Sequence, residues 1–169
     1  ADLTQVEGTA GRPELKCLDF DPSSDENAQF TVAFPKSMKY DTDITFRAFF
    51  TVTGTNTGTV SWALSAGSTA DNGVIDTAFG TAVAPTAKAH SGVSNDIDIT
   101  AESGDITIAN RADDTMTFFN IEREVSENSQ TRYARLLCIQ MFFTTDAAND
   151  AKWGSWMSFG YQVLGFGSF

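Results

Sequence analysis

The chain has 169 residues, 41% of them hydrophobic and 12% aromatic, with 22 acidic side chains against 11 basic ones and a formal net charge of −11. That length fits one domain able to bury a core without metal or disulfide support, and 14 phenylalanines exclude global disorder and indicate a ring-filled interior. The negative field disfavours nucleic acid and anionic membrane as partners, and it keeps a protein soluble at high local density.

Residues 1–14 are polar and interrupted by Gly8, Gly11 and Pro13, which reads as an extended N-terminal arm rather than an element. From residue 15 to residue 151 period-two patterns define a β domain. Residues 15–20 alternate weakly, and Phe30, Val32 and Phe34 share a face and stop at Pro35. Ile44, Phe46, Ala48, Phe50 and Val52 form the clearest alternating strand, followed by Val60, Trp62, Leu64 and Ala66, with residues 54–58 between them as a hairpin loop. Val74, Ile75, Ala78 and Phe79 have helical spacing and predict one short helical turn. Strands resume around residues 81–84, at Ile97 and Ile99, at Ile106 and Ile108, and at Met116 and Phe118. In the last long strand, residues 133–143, Tyr133, Arg135, Leu137, Ile139, Met141 and Phe143 take one face and Ala134, Leu136, Cys138 and Phe142 the other. Apolar character on both faces predicts a strand with no wet side, and the adjacent pairs Phe49/Phe50 and Phe118/Phe119 repeat the feature. The expected fold class is all-β: an antiparallel β-sandwich, jelly-roll-like, with one short helical turn.

Residues 152–169 form an aromatic and glycine-rich C-terminal tail. From Trp153 to the end there is no charged side chain, yet Trp153, Trp156, Phe159, Tyr161, Phe166 and Phe169 fall there. At roughly 150–250 Å² each these rings present on the order of 1,000 Å² of apolar surface, about twice the largest patch a soluble monomer tolerates. The tail either closes the chain's own core or docks on another subunit, and docking is the expectation. The residues predicted to bind partners are Trp153, Trp156, Met157, Phe159, Tyr161, Phe166 and Phe169, with Phe49, Phe119 and Phe142 as contacts from the sandwich.

Candidate chemistry elsewhere is sparse. His90 is the only histidine and sits in a Gly/Pro/Ser-rich loop, where it reads as a surface residue and not as a base beside a nucleophile. The pairs Asp96/Asp98 and Asp113/Asp114 read as solvated acids rather than a glycosidase couple. Asp21, Ser23, Asp25, Glu26 and Asn27 gather oxygen ligands in one loop, but without the glycine and terminal glutamate of an EF-hand, so a turn is the simpler reading. Cys17 and Cys138 read as buried free thiols, with a single bridge between them as the alternative that sequence does not decide. No catalytic residue, metal or cofactor is expected, and the protein is expected not to be an enzyme. No charged-then-apolar leader opens the chain and no run reaches a membrane span, so synthesis and folding in a cytoplasm are expected, unless processing has already removed a leader. Trp153 and Trp156 as a sugar-stacking platform form the competing reading, which makes glycan the alternative partner.

Leu18-Asp19-Phe20-Asp21 with residues 26–37 (ENAQFTVAFPKS), residues 75–83 (IDTAFGTAV), Ala134-Arg135-Leu136-Leu137 and residues 143–151 (FTTDAANDA) together resemble a group of tailed-bacteriophage and prophage virion proteins. The resemblance implies a non-enzymatic β-sandwich on the particle, either on the head as a decoration (cement) protein or in the tail with a fibre or its base. Members often have a longer leading arm, and many stop near the position of Asp150 and Ala151. A head decoration protein implies a homotrimer seated on the major capsid protein, with trimer number coming from the analogy alone.

Overall fold

The computed structural model describes residues 1–112, 115–145 and the backbone of 161–165. It is nearly all β, in antiparallel sheets, as an all-β sandwich. The strands are β1 (Asp2–Val6), β2 (Leu15–Phe20), β3 (Glu26–Ala33), β4 (Thr45–Val52), β5 (Thr59–Val60), β6 (Trp62–Thr69), β7 (Lys88–Ala89), β8 (Asp98–Ile99), β9 (Met116–Arg123), β10 (Ala134–Phe142) and β11 (Tyr161–Gly165). One sheet runs β1-β2-β10-β4-β8, with β11 also paired to β10; the second runs β3-β9-β6; β5 and β7 form a small ribbon.

The alternation in β4 places Phe46, Ala48, Phe50 and Val52 inward, all fully buried, and leaves Thr45, Arg47 and Phe49 half-covered on the outer face. Phe20 from β2 meets Trp62 of β6 edge-on at 4.9 Å, and Phe50 approaches the same ring at 5.9 Å, so one tryptophan joins the two layers. At the other end Phe34 sets its ring edgewise against Phe143 at 5.5 Å.

Several expectations are corrected. Residues 2–6 are not a free arm: β1 pairs with β2 over five positions, from Asp2 opposite Asp19 to Val6 opposite Leu15. Residues 54–58 are not a hairpin loop, because β4 and β6 belong to different sheets and the chain crosses between layers there. The helical turn lies at Val125–Glu127 and not at 71–79, where Val74 and Ile75 are 73% and 75% exposed; with no face buried, the spacing has nothing to pack against. Around residue 83 there is a single bridge, Leu64 to Val83, and around residue 106 another, Ile44 to Ile106, instead of strands.

The faces of β10 are also not those the simple alternation gives. Its register with β4 shifts between Leu136 and Cys138, and this β-bulge inverts the parity of everything that follows. Ala134 and Leu136 point inward before it; Ile139, Met141 and Phe143 point inward after it. The strand therefore has one buried face throughout, and its other face carries Arg135, Cys138, Gln140 and Phe142, all half-buried.

Candidate functional site

The feature that stands out is on the outer face of the larger sheet, at its β8 edge. There the usual sidedness is inverted: Ile97 and Ile99 are 61% and 41% exposed, whereas Asp98 and Thr100 are buried. The inversion is made possible by partners for the inward polar groups. Asp98 Oδ2 lies 2.6 Å from His90 Nδ1, Thr100 Oγ1 accepts a hydrogen bond from the Ala48 backbone N–H at 3.0 Å, and Ser103 Oγ accepts one from the Phe46 N–H at 3.0 Å. Each buried polar group is thereby satisfied, as it must be to remain inside.

Outward, Ile99 stands opposite Phe49, and Phe49 stands opposite Cys138 on β10, so an apolar row crosses three strands. Phe142 extends it. Its ring lies 5.4 Å from the Arg47 guanidinium carbon, while Arg47 pairs with Glu102 at 3.6 Å; a second rim pair, Arg135 to Asp19 at 3.0 Å, lies at the β2 side. Phe142 is also the register partner of Tyr161 in β11. An apolar row inside a rim of ion pairs has the anatomy of a protein-contact surface. Burial holds the Cys138 thiol above its ordinary pKa, and burial followed by the neighbouring Asp19 carboxylate does the same for Cys17, which keeps both in the unreactive thiol form.

The residues predicted to bind partners separate into three groups. Phe49 and Phe142 lie on this outer face. Phe119 does not: it is fully buried between the sheets, its ring stacked on Phe30 at 5.0 Å, because β9 points odd-numbered residues inward. Trp153, Trp156, Met157, Phe159, Phe166 and Phe169 lie outside the described residues, and Tyr161 is described by its backbone alone, as the first residue of β11. That strand belongs to the chain's own sheet, so part of the tail is engaged within the protomer.

Two clusters escaped the sequence reading. His90 is 3% exposed rather than superficial, held by Asp98 on one ring nitrogen and by the Gly54 carbonyl at 3.3 Å on the other. It ties the 54–58 crossing to β8. The second cluster is Arg123, at the end of β9 and fully buried. Its guanidinium donates to the carbonyls of Phe20, Arg132 and Gln130 at 2.8, 3.0 and 2.9 Å and to Asn128 Oδ1 at 3.0 Å. Burial lowers its pKa to about 10, opposed by Asp21 and Glu26. No residue spacing announces either cluster: Asp98 and residues 128–132 lie close in sequence to their partners, but the Gly54 and Phe20 carbonyls that complete the two clusters are 36 and 103 residues away.

A shallow cleft of about 380 Å³ is lined by Phe34, Lys36, Tyr40, Arg111 and Met116 among others. Arg111 commits its Nε and Nη2 to the backbone carbonyls of Tyr40, Lys39 and Thr42 at 2.8, 2.9 and 2.5 Å, and among the described residues its buried Nη1 has no hydrogen-bond partner. The acidic loop after β2 forms a turn: Asp21 Oδ1 accepts from the Ser23 and Ser24 N–H groups at 2.7 and 3.1 Å and from the Ser23 hydroxyl at 2.6 Å. Among the described residues, no three His, Cys, Asp or Glu side chains are placed to share a metal ion. No family model, curated protein or solved structure matches this chain.

Proposed function

We propose that this protein is a structural component of a tailed-phage virion, a decoration (cement) protein that binds capsid subunits as a homotrimer and stabilises the head. The observation that carries the reading is the inverted β8 edge. Isoleucines outside and an aspartate inside make sense where the outer face is covered in the assembled state, and Phe49 and Phe142 continue that face. The aromatic tail supplies further apolar surface, the net charge of −11 suits dense display, and the sequence strings quoted above carry the resemblance to virion proteins. On this reading the chain meets copies of itself and the major capsid protein, without cofactor.

The reading is tested by mass-spectrometric detection of the chain in purified heads against purified tails, together with the solution mass of the isolated protein. Presence in heads and a trimeric mass are expected; presence in tails alone removes the decoration role. A tail-fibre or glycan-binding module is the second reading, favoured by Trp153 and Trp156 in the uncharged tail. Glycan binding that disappears on Trp153→Ala or Trp156→Ala while assembly persists selects it.

A further inference from the structure

The two layers are unequal, with five strands abreast in β1-β2-β10-β4-β8 and three in β3-β9-β6. Strands lie about 4.8 Å apart within a sheet, so the wider layer must overhang the narrower. At the β8 flank the overhang is filled: the long connection from β6 to β9 brings Pro85, His90, Thr100, Ser103, Ile106 and Ile108 into buried positions. At the β1 flank it is open. Leu3 pairs with Leu18 and so shares its inward face; Leu18 packs against the core, but Leu3 is 72% exposed.

The same flank carries the outer edge of β3. Five residues, 21–25, link β2 to β3, and the Ala1 nitrogen lies 3.6 Å from Glu26 Oε1, which sets the start of β1 beside the start of β3. β3 pairs with β9 over eight unbroken positions, contains no Pro or Lys, and among the described residues makes no backbone hydrogen bond on its other side. It therefore lacks the Pro, Lys and bulge that often guard an edge strand, and its one charged residue, Glu26, stands at its start. Asn27, Gln29, Thr31 and Ala33 are exposed, and the inward-facing Ala28 and Phe30 are only partly covered.

We propose that this flank is an acceptor groove for one extended segment of a different polypeptide, which adds to the free edge of β3 as a further strand and lays alternate apolar side chains against Leu3 and Phe30. The occupant is a separate extended segment and not a second copy, because a chain of net charge −11 is repelled by an edge that opens on Asp21, Asp25 and Glu26. Its charge follows from the entry end, where Asp21, Asp25 and Glu26 gather, so the segment carries Lys or Arg at that end. The inference uses a different surface from the outer-face reading above and does not rest on it.

The test is a titration of the full chain with a capped peptide of alternating Val and Thr ending in Lys at both termini, read by fluorescence anisotropy and by backbone hydrogen exchange. Saturable binding with slowed exchange confined to Glu26–Ala33 is expected, and Leu3→Glu is expected to weaken it about tenfold, whereas Val74→Glu, equally exposed on a remote loop, leaves it unchanged. Absence of saturable binding, slowed exchange elsewhere, or a Leu3→Glu variant that binds as the parent does each overturns the proposal. So does protection of β3 that rises with protein concentration without peptide, which identifies a second copy as the occupant.

Discussion

Phe49 and Phe119 have the same side chain, and each has a phenylalanine beside it in sequence, yet they differ in what they do. Phe119 fills the space between the sheets, and Phe119→Ala is expected to cost about 3–5 kcal/mol through lost burial and the cavity left behind, seen as a large fall in melting temperature. Phe49→Ala, on the half-covered outer face, is expected to cost about 1 kcal/mol or less while weakening assembly; equal losses of stability in the two variants would refute the assignment of faces. Asp21 shows what a local turn does to a charge. Hydrogen bonds from Ser23, the hydroxyl first and the backbone N–H second, hold its carboxyl down to about 2 from 3.8. A lowered carboxylate pKa means that the contribution to stability is complete above about pH 4 and disappears as pH falls through the folded value. Carboxyl carbon shifts followed by NMR should give an Asp21 midpoint near 2, moving toward the ordinary value in Ser23→Ala. A midpoint at the ordinary value in the parent chain contradicts the turn geometry.

At the level of the element, β10 depends on one extra residue. The bulge at Leu137 lets Ala134 and Leu136 face the core on one side of it and Ile139, Met141 and Phe143 on the other. Deleting Leu137 removes the bulge and leaves Leu136 and Ile139 two positions apart, so Ala134, Leu136, Ile139, Met141 and Phe143 keep the inward face in simple alternation and a folded chain is expected. Leu137→Ala keeps the residue count and should fold. Circular dichroism and thermal melting of the two variants check this, and an unfolded deletion shows that Leu137 is not the extra residue. The β8 edge makes a complementary point: its inverted pattern holds only because His90, Thr100 and Ser103 arrive from the connection between β6 and β9. β-propensity describes fit to a half-buried surface and does not say which side is wet.

For the whole molecule, nearly every link between the main strands crosses from one sheet to the other, and only β1 with β2 and β10 with β11 are sequence neighbours that pair. Removing residues 153–169 therefore tests two roles at once. Loss of β11 uncovers the edge of β10 over Cys138–Phe142, so a lowered melting temperature is expected with the sandwich retained, together with loss of self-association and of binding to capsid. Sedimentation and circular dichroism separate these effects; complete unfolding would place the tail in the core, and an unchanged oligomer would remove it from the contact surface.

Composition and period-two alternation were enough to establish an all-β chain with a phenylalanine-rich core, and the strands at residues 15–20, 45–52 and 134–142 could be read directly, because side-chain alternation is a local property of an extended backbone. Trp62 was legible as core for the same reason. Sheet membership, the bulge that reverses β10, the burial of His90 with Asp98 and the inward turn of Phe119 were decided by tertiary structure. Each depends on which distant segment stands opposite, and alternation in one strand carries no information about its partner across the sandwich.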